Sequence, residues 1–202
     1  MANDRPNYEV FTSPAGEAVY PWLTKADTRH DAKGVFKTDL SLPFELAQDF
    51  IAKLEKTRND FIQTLPVNKQ KSMTPVPVYR EEFTRPDIPE GATDEEKQAI
   101  WDAWEGEPTG NVLFRFKMKA RVEPKEGEAF DQKPTIVSAD TGEKIDDAVY
   151  GGSILKVKGQ IVPYTAPASN TVGVTLRMKA VQVIELVSGG GDSSFWTDFG
   201  SE

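Results

Sequence analysis

The feature that most constrains this chain is a stretch of alternating residues from 112 to 122. Even positions in it are apolar, and four of the five odd positions are basic. Successive side chains of a β-strand point to opposite faces, so a period of two predicts a strand with one buried face and one basic face. The apolar set is Val112, Phe114, Phe116, Met118, Ala120 and Val122, and the opposite set is Leu113, Arg115, Lys117, Lys119 and Arg121.

Other segments also carry strand signals. Residues 34–42 alternate, and residues 8–25 contain two extended segments separated by the turn at residues 13–16. Pro21 lies inside the second of these, which indicates an edge strand or a bulge. Further strands are predicted at residues 133–140, 153–164 and 170–187, the last of them bent.

Helical signals are confined to the middle of the chain. Pro43 opens a predicted helix that extends to about Leu65, with an apolar stripe at helical spacing. The stripe consists of Leu46, Ala47, Phe50, Ile51, Leu54, Phe61, Ile62 and Leu65. Residues 66–91 contain five prolines and predict a long irregular connection. Thr93 and Glu96 form a capping box that starts a short acidic helix, which ends near Gly106.

The order of these elements predicts a mostly β protein with inserted helices. Strand-rich halves, one capping helix and Gly/Pro turns favour a small closed or partly open antiparallel barrel. We expect residues 1–188 to form a single domain, with a helical and proline-rich insertion at about 43–109. Residues 189–202 are expected to form a glycine hinge and a flexible acidic tail.

The composition excludes several kinds of site. The chain has no cysteine and one histidine, His30. Disulfides, thiolate metal sites, cysteine nucleophiles and a Ser-His-Asp triad are therefore not expected, and no cofactor or metal is predicted. Asp146 and Asp147 are the nearest pair for a metal-dependent nuclease, but adjacent strand residues point to opposite faces. We therefore do not expect an enzyme.

The chain also lacks membrane and secretion signals. It contains no apolar run approaching ~18 residues, so no membrane-spanning helix is expected. The first residues lack the charged-then-apolar pattern of a secretion signal, and the absence of cysteine fits a reducing cytoplasm.

The net charge of −8 is distributed unevenly. Residues 80–109 carry a net charge of −7 and residues 191–202 carry −3, whereas residues 1–79 are neutral and residues 110–190 carry +2. The acidity therefore lies in one insertion and one tail.

Two more predicted strands carry basic outer faces, at Lys156 and Lys158 and at Arg177 and Lys179. If the three basic strands are adjacent, they form a groove that follows a phosphate backbone. Stacking of unpaired bases also needs aromatic side chains, and the candidates are Tyr164, Trp22, Tyr20 and, more weakly, Tyr150. Two alternatives remain: a solvated face neutralised by carboxylates from neighbouring strands, and a protein-interaction module whose basic face binds an acidic partner.

The tail combines acidic and aromatic residues. It contains no cation, and its candidate partner-binding residues are Asp192, Phe195, Trp196, Asp198 and Phe199. Such a tail can compete with DNA for a basic groove, and its aromatics can anchor in a partner's pocket. The alternative is a tail that only aids solubility.

The order of short motifs resembles that of the single-stranded DNA-binding proteins of podovirus-type tailed phages. The motifs are FTS (11–13), YPWLTKAD (20–27), GVFKTDLSLP (34–43), FRFK (114–117), GGSILKVKGQIVPY (151–164) and VQVIELVSGGG (181–191). Residues 44–109 match weakly, and the tail is shorter and less acidic than is typical of the family.

The resemblance implies an oligonucleotide-binding (OB) barrel with a helix inserted after its second strand. It implies a function in coating single-stranded DNA during phage replication, recombination or repair, in the cytoplasm of an infected bacterium. By motif position, Arg115, Lys117, Lys156, Lys158 and Tyr164 correspond to groove residues, with Tyr20 and Trp22 as stacking candidates. Replication proteins such as a polymerase or helicase-primase are the implied partners of the tail, and a homodimer is left open.

Overall fold

The computed structural model of the protein describes residues 7–124 and 126–187. The strands in these residues are β1 (Glu9–Thr12), β2 (Gly16–Asp27), β3 (Val35–Pro43), β4 (Thr74–Pro75), β5 (Arg80–Phe83), β6 (Pro108–Lys119), β7 (Arg121–Val122), β8 (Phe130–Asp131), β9 (Thr135–Ser138), β10 (Ile154–Ala166) and β11 (Thr171–Glu185). The α-helices are α1 (Phe44–Thr64), α2 (Val67–Ser72) and α3 (Asp94–Asp102). The chain is thus mostly β with inserted helices, as the sequence predicts.

The five long strands pair in a ring. β2 pairs with β3, β3 with β6, β6 with β11, β11 with β10, and β10 pairs back with β2 through two residues. The β6–β11 pairing is parallel, whereas the other four are antiparallel. β1 pairs with β10, β5 with β6, and β4 and β9 with β11, while β7 and β8 form a separate two-stranded sheet.

The alternation in β6 matches its burial. Phe114, Phe116 and Met118 are buried, whereas Arg115 and Lys117 between them are exposed. The apolar faces of the other ring strands meet them inside the ring, with Leu40, Leu155 and Val157 among the fully buried side chains. The core therefore fills the interior of the ring, and the basic side chains are left on its outside.

Helix α1 packs on this core with part of the predicted stripe. It contacts β3, β6, β10 and β11, and Phe50 lies 5.1 Å from Phe114 between ring centroids. Leu46, expected in the stripe, is instead 67% exposed. It lies about 100° around the helix from Ala47, the residue that begins the buried face. Arg58 continues that face and donates from Nη1 to the carbonyl of Val76 at 2.9 Å.

The segment 66–91, expected to be an irregular connection, contains α2 and two short strands. Strand β5 pairs antiparallel with β6, with Arg80 opposite Leu113 and Phe83 opposite Pro108. The prolines at 75, 77, 86 and 89 lie outside the part of β5 that pairs, so they do not prevent it. The insertion is therefore attached to the ring along β6.

The strand predicted from the alternation at 112–122 ends earlier. Strand β6 ends at Lys119, and Arg121 and Val122 pair with β8 instead of continuing along the ring. None of the helices in the described part of the chain is long and apolar enough to cross a membrane. The glycine hinge and tail at 189–202 lie outside the described residues, so the domain boundary there stays a prediction.

Candidate functional site

A bulge in β2 shapes the outer surface of the ring. The pairing with β3 runs from Val19 opposite Asp39 to Trp22 opposite Lys37, so β2 contains an extra residue between these pairs. Tyr20 takes a left-handed backbone with φ of 48°, which is uncommon for a residue other than glycine. Its side chain is 64% exposed. Of the two alternatives that Pro21 indicated, an edge strand or a bulge, the structure shows the bulge, which presents an aromatic side chain outward.

Three cavities overlap to form one groove across the outer faces of β2, β3 and β6. The first, of about 390 Å³, contains Tyr20, Trp22 and Lys37. The second, of about 690 Å³, extends towards the insertion, and the third, of about 320 Å³, extends to Tyr164 on β10. Arg115 lines all three cavities. We call this continuous surface the groove.

The floor of the groove holds an aspartate that binds two arginines. Arg115 donates from Nε and Nη2 to the two oxygens of Asp39 at 2.8 Å, and Arg80 donates to the same carboxylate at 2.6 Å. Asp39 is 8% exposed, whereas about half of each arginine side chain is exposed. The hydrogen bonds from Arg115 to Asp39 raise the pKa of the guanidinium. The carboxylate therefore orients two cations whose outer surfaces remain accessible.

A second aspartate has the same arrangement nearby. Asp27 accepts from Arg29 at 3.0 Å and contacts Lys37 at 2.6 Å, and its side chain is almost completely buried. The hydrogen bonds from Arg29 and then Lys37 hold the pKa of Asp27 well below its usual range. Arg29 also lies over the Trp22 ring, 4.9 Å from its centroid, which limits the movement of that aromatic side chain.

Lys117 differs from Arg115 because it faces other cations. It lies opposite Lys37 in the β3–β6 pairing. Among the described residues, no carboxylate lies within 4.0 Å of its amino group. Burial, followed by the charges of Arg115 and Lys37, lowers the pKa of Lys117. The outer cations of β6 are thus compensated in part by Asp39, and Lys117 keeps an unneutralised charge that favours an anionic ligand.

Tyr164 joins the groove from the end of β10. It lies opposite Gly173 in the β10–β11 pairing. A Cβ added to Gly173 would stand 2.8 Å from the Tyr164 hydroxyl oxygen and 3.1 Å from Cε1, so the phenol lies directly over this glycine. The absence of a side chain at Gly173 therefore makes room for the ring of Tyr164 at the edge of the groove.

Five of the predicted residues meet in the groove: Arg115, Lys117, Tyr164, Tyr20 and Trp22. The other cations lie elsewhere on the outer surface. Arg177 on β11 lies opposite Lys117 on β6, and its guanidinium lies 5.4 Å from the Tyr8 ring centroid. Lys119 is exposed at the end of β6, and Arg121 pairs with Asp131 at 3.0 Å in the β7–β8 sheet.

The three basic strands are consecutive in the ring, in the order β6, β11, β10. Lys156 and Lys158 on β10 and Lys179 on β11 do not line the groove but face outward around the curve of the ring. Asp192, Phe195, Trp196, Asp198 and Phe199 lie outside the described residues.

Several groove residues were not singled out from the sequence. Lys37 and Asp39 share the outer face of an alternating strand, and pairing that strand with residues 112–122 would have found them. Arg80 and Arg85 carry no such signal, because they lie in an acidic segment between prolines. No group of three or more metal-ligating side chains is found in the part of the chain that the structure describes.

Comparisons with known proteins show what this chain is similar to. No protein-family model matches the chain. The single-stranded DNA-binding protein of Escherichia phage T7 is 26% identical over 204 residues, which cover 94% of this chain and 82% of that protein. The corresponding protein of Enterobacteria phage T3 is also 26% identical, over 209 residues with the same coverage.

Two solved structures share the fold. The single-stranded DNA-binding protein gp2.5 of bacteriophage T7 matches with a TM-score of 0.66 and 23% identity over 96% of each chain. The single-stranded DNA-binding protein of bacteriophage Enc34, in complex with single-stranded DNA, matches with a TM-score of 0.50 and 11% identity over 90% of this chain and 89% of that one.

The chain is therefore a mostly β protein that is similar to these phage proteins in sequence over 94% of its length and shares its fold with the T7 protein. Its resemblance to phage single-stranded DNA-binding proteins, expected from the order of its motifs, is confirmed by sequence over nearly the whole chain. Both relatives are named as binding proteins, in agreement with the prediction that this chain is not an enzyme.

Proposed function

We propose that this protein binds single-stranded DNA in the groove, and that it coats and protects the strand during phage DNA replication, recombination or repair. We also propose that the five-stranded ring is an OB barrel. The groove lies over β3 and β6, the second and third strands of the ring in chain order, and this is the face with which OB folds bind oligonucleotides.

The observation that carries the proposal is the joint presence of cations and aromatic side chains in one continuous groove. Lys117 and the outward surfaces of Arg115 and Arg80 offer contacts to phosphates. Tyr164, Trp22 and Tyr20 offer faces on which unpaired bases stack, and such stacking tolerates any sequence because every base has a π-face. Non-specific binding of a single strand needs both kinds of contact.

The remaining parts of the proposal rest on the sequence and on the relatives. We propose that residues 1–188 form the DNA-binding domain. Residues 189–202 then act as a hinge and tail that contacts replication proteins such as a polymerase or a helicase-primase. The site of action is then the cytoplasm of the infected bacterium, and a homodimer is compatible with the proposal.

The first test is a titration of the tryptophan fluorescence with single-stranded and duplex oligonucleotides at several salt concentrations. The variant Arg115→Ala with Lys117→Ala should bind the single strand more weakly. Each lost phosphate contact should flatten the slope of log K against log salt by about 0.7. The matched control is Lys56→Ala with Lys69→Ala, which removes two exposed cations from α1 and α2 and should leave the slope unchanged.

If a folded Arg115→Ala, Lys117→Ala variant keeps the wild-type slope of log K against log salt, β6 is not part of the binding site. If the wild-type protein instead binds an acidic polypeptide and no oligonucleotide, the groove serves as a protein-interaction surface.

A second test addresses stacking on Tyr164. Tyr164→Ala should weaken binding by roughly 1–3 kcal/mol if a base stacks on the ring, whereas Tyr164→Phe should bind nearly as well as wild type. Gly173→Ala should act like Tyr164→Ala, because the added methyl displaces the phenol. Equal losses in the Phe and Ala variants would assign the effect to the hydroxyl group rather than to stacking.

A further inference from the structure

The acidic insertion contributes a wall to the groove. Residues 80–109 carry ten carboxylates and three cations, so a phosphate backbone should avoid them. Two of those three cations, Arg80 and Arg85, nevertheless line the 690 Å³ cavity, and the third, Lys97, pairs with Asp94 on α3. Of the ten carboxylates, only that of Glu105 lines this cavity. The insertion therefore presents its positive side chains to the groove and directs most of its negative ones elsewhere.

The same wall is aromatic. Phe83, Trp101 and Trp104 line the cavity, and each is between 42% and 47% exposed. Exposed tryptophans are unusual on a surface that has no ligand, because removing a large apolar side chain from water lowers the free energy. Tyr20 on β2 also lines this cavity, so both the ring and the insertion contribute aromatic side chains to it.

Two sets of contacts hold this aromatic wall in position. The indole N–H of Trp104 donates to the carbonyl of Thr84 at 3.0 Å. The backbone N–H of Thr84 donates to the carbonyl of Glu107 at 2.8 Å, and the Glu107 N–H donates to the Thr84 hydroxyl at 3.0 Å. A Cβ at Gly106 would stand 2.9 Å from the indole nitrogen, so a glycine is needed beside the ring. On the other side, Arg85 lies 4.6 Å from the Tyr20 ring centroid and donates to its hydroxyl at 2.9 Å.

We infer that this cavity is a nucleobase site, in which an unpaired base of the bound strand inserts between Tyr20 and the wall formed by Trp101 and Trp104. The inference rests on the proposed function and extends the binding site from the ring onto the insertion. The cavity is continuous with the rest of the groove through Arg115 and Arg80, so a strand that follows the groove reaches it. Arg80 and Arg85 line the same cavity and would contact the phosphates on either side of that base.

The test compares two ligands: an oligothymidylate and an abasic oligonucleotide of the same length, which keeps the phosphates and lacks the bases. The variant Trp101→Ala with Trp104→Ala should bind the oligothymidylate about 5- to 150-fold more weakly for each stacked base that is lost. Its affinity for the abasic strand should equal that of wild type. Trp101→Phe with Trp104→Phe keeps flat rings and should restore most of the lost affinity.

The matched control is Phe130→Ala, which removes an equally exposed aromatic side chain from β8, outside the groove. Equal loss of affinity for both ligands would overturn the inference, because the tryptophans would then act through the fold or the charge of the wall. Unchanged binding of both ligands would also overturn it while leaving the proposed function intact. Failure of the wild-type protein to bind any single strand would instead reject the proposed function itself.

Discussion

At the scale of single residues, the groove that we propose as an anion site has two aspartates bound to its cations. Asp39 and Asp27 lower the positive charge of the surface, yet each binds two cations from different parts of the chain. Hydrogen bonds between charged groups are stronger than neutral ones and fix the direction of a guanidinium. Each aspartate therefore neutralises part of the positive charge of the groove but fixes the direction of the cations that it binds. Less entropy is then lost when a phosphate binds to those cations.

We expect Asp39→Asn to destabilise the protein, although it makes the groove more positive. The amide retains a single acceptor oxygen, so hydrogen bonds to Arg115 and Arg80 are lost, at a cost of about 1–3 kcal/mol in the free energy of unfolding. Urea denaturation of the variant measures this change. The control is Asp60→Asn, because Asp60 pairs with Lys56 on the exposed face of α1 and should contribute less than about 0.5 kcal/mol. Equal stability of both variants would show that Asp39 does not hold the arginines.

The lowered pKa of Lys117 predicts a pH dependence of binding. A bound phosphate stabilises the ammonium form, so the pKa of Lys117 should be higher in the complex than in the free protein. The affinity for single-stranded DNA should be highest at pH values below the pKa of Lys117 in the free protein, and it should fall as the pH rises through that pKa. Because this pKa is lowered, the fall should begin at a less alkaline pH than for an ordinary lysine.

The control for this dependence is Lys117→Arg, which keeps its charge over the whole range and should lose this part of the pH dependence. Titrations of single-stranded DNA between pH 7 and strongly alkaline pH measure both proteins. Identical pH profiles for wild type and Lys117→Arg would place Lys117 away from the phosphates.

At the scale of elements, α3 depends on local interactions. None of its residues is buried, but its first turn is closed by a capping box. Thr93 accepts from the Glu96 N–H at 3.2 Å, and Glu96 accepts from the Thr93 N–H at 2.8 Å. The backbone N–H of Thr93 is the main cause of the lowered pKa of Glu96. A helix of nine residues without such a cap and without packing is marginal in water.

We therefore expect Thr93→Ala to loosen α3 without unfolding the ring. Loss of the cap should cost about 1 kcal/mol locally, which corresponds to amide exchange that is about 5-fold faster in α3. Hydrogen exchange measures this locally, while the midpoint of global urea unfolding should stay the same. A fall in the global midpoint would show that α3 and the ring unfold as one cooperative unit.

At the scale of the whole molecule, charge is separated along the chain. The acidity lies in the insertion and the tail, whereas the groove gathers cations from β3, β5 and β6. A net charge of −8 is therefore compatible with binding a polyanion, because the field close to the groove depends on its own side chains. Screening limits the influence of more distant charges to about 10 Å at 0.1 M salt.

Deletion of residues 192–202 should tighten binding of single-stranded DNA. The deletion removes three carboxylates beyond the glycines at 189–191, and a tail that visits the groove lowers the fraction of protein free to bind. The effect should be largest at low salt, where screening is weak. Equal affinities of intact and truncated protein at about 0.02 M salt, where the Debye length is roughly 20 Å, would show that the tail does not compete.

The sequence alone determined the long strands, their buried and exposed faces, and the capping box. Arg115 and Lys117 were assigned to an outer face because successive side chains of a strand point to opposite faces. This alternation does not depend on residues that are distant in the chain. The start of α3 was predicted for a similar reason, and Pro21 indicated either an edge strand or the bulge that is present, since a proline ring and a capping side chain act on their immediate neighbours. The order of motifs also indicated the class of protein.

Only the tertiary structure decided which charges meet. Asp39 and Arg115 lie 76 positions apart in the chain, and their contact depends on the register of β3 against β6. The place of the insertion beside Tyr20 likewise depends on the pairing of β5 with β6, which the prolines around β5 concealed. Local rules act over a few residues, whereas these contacts arise from how the whole ring closes around its core. The groove therefore forms only when the ring is closed and the insertion is in place. The sequence of one strand predicts only which of its own side chains share a face.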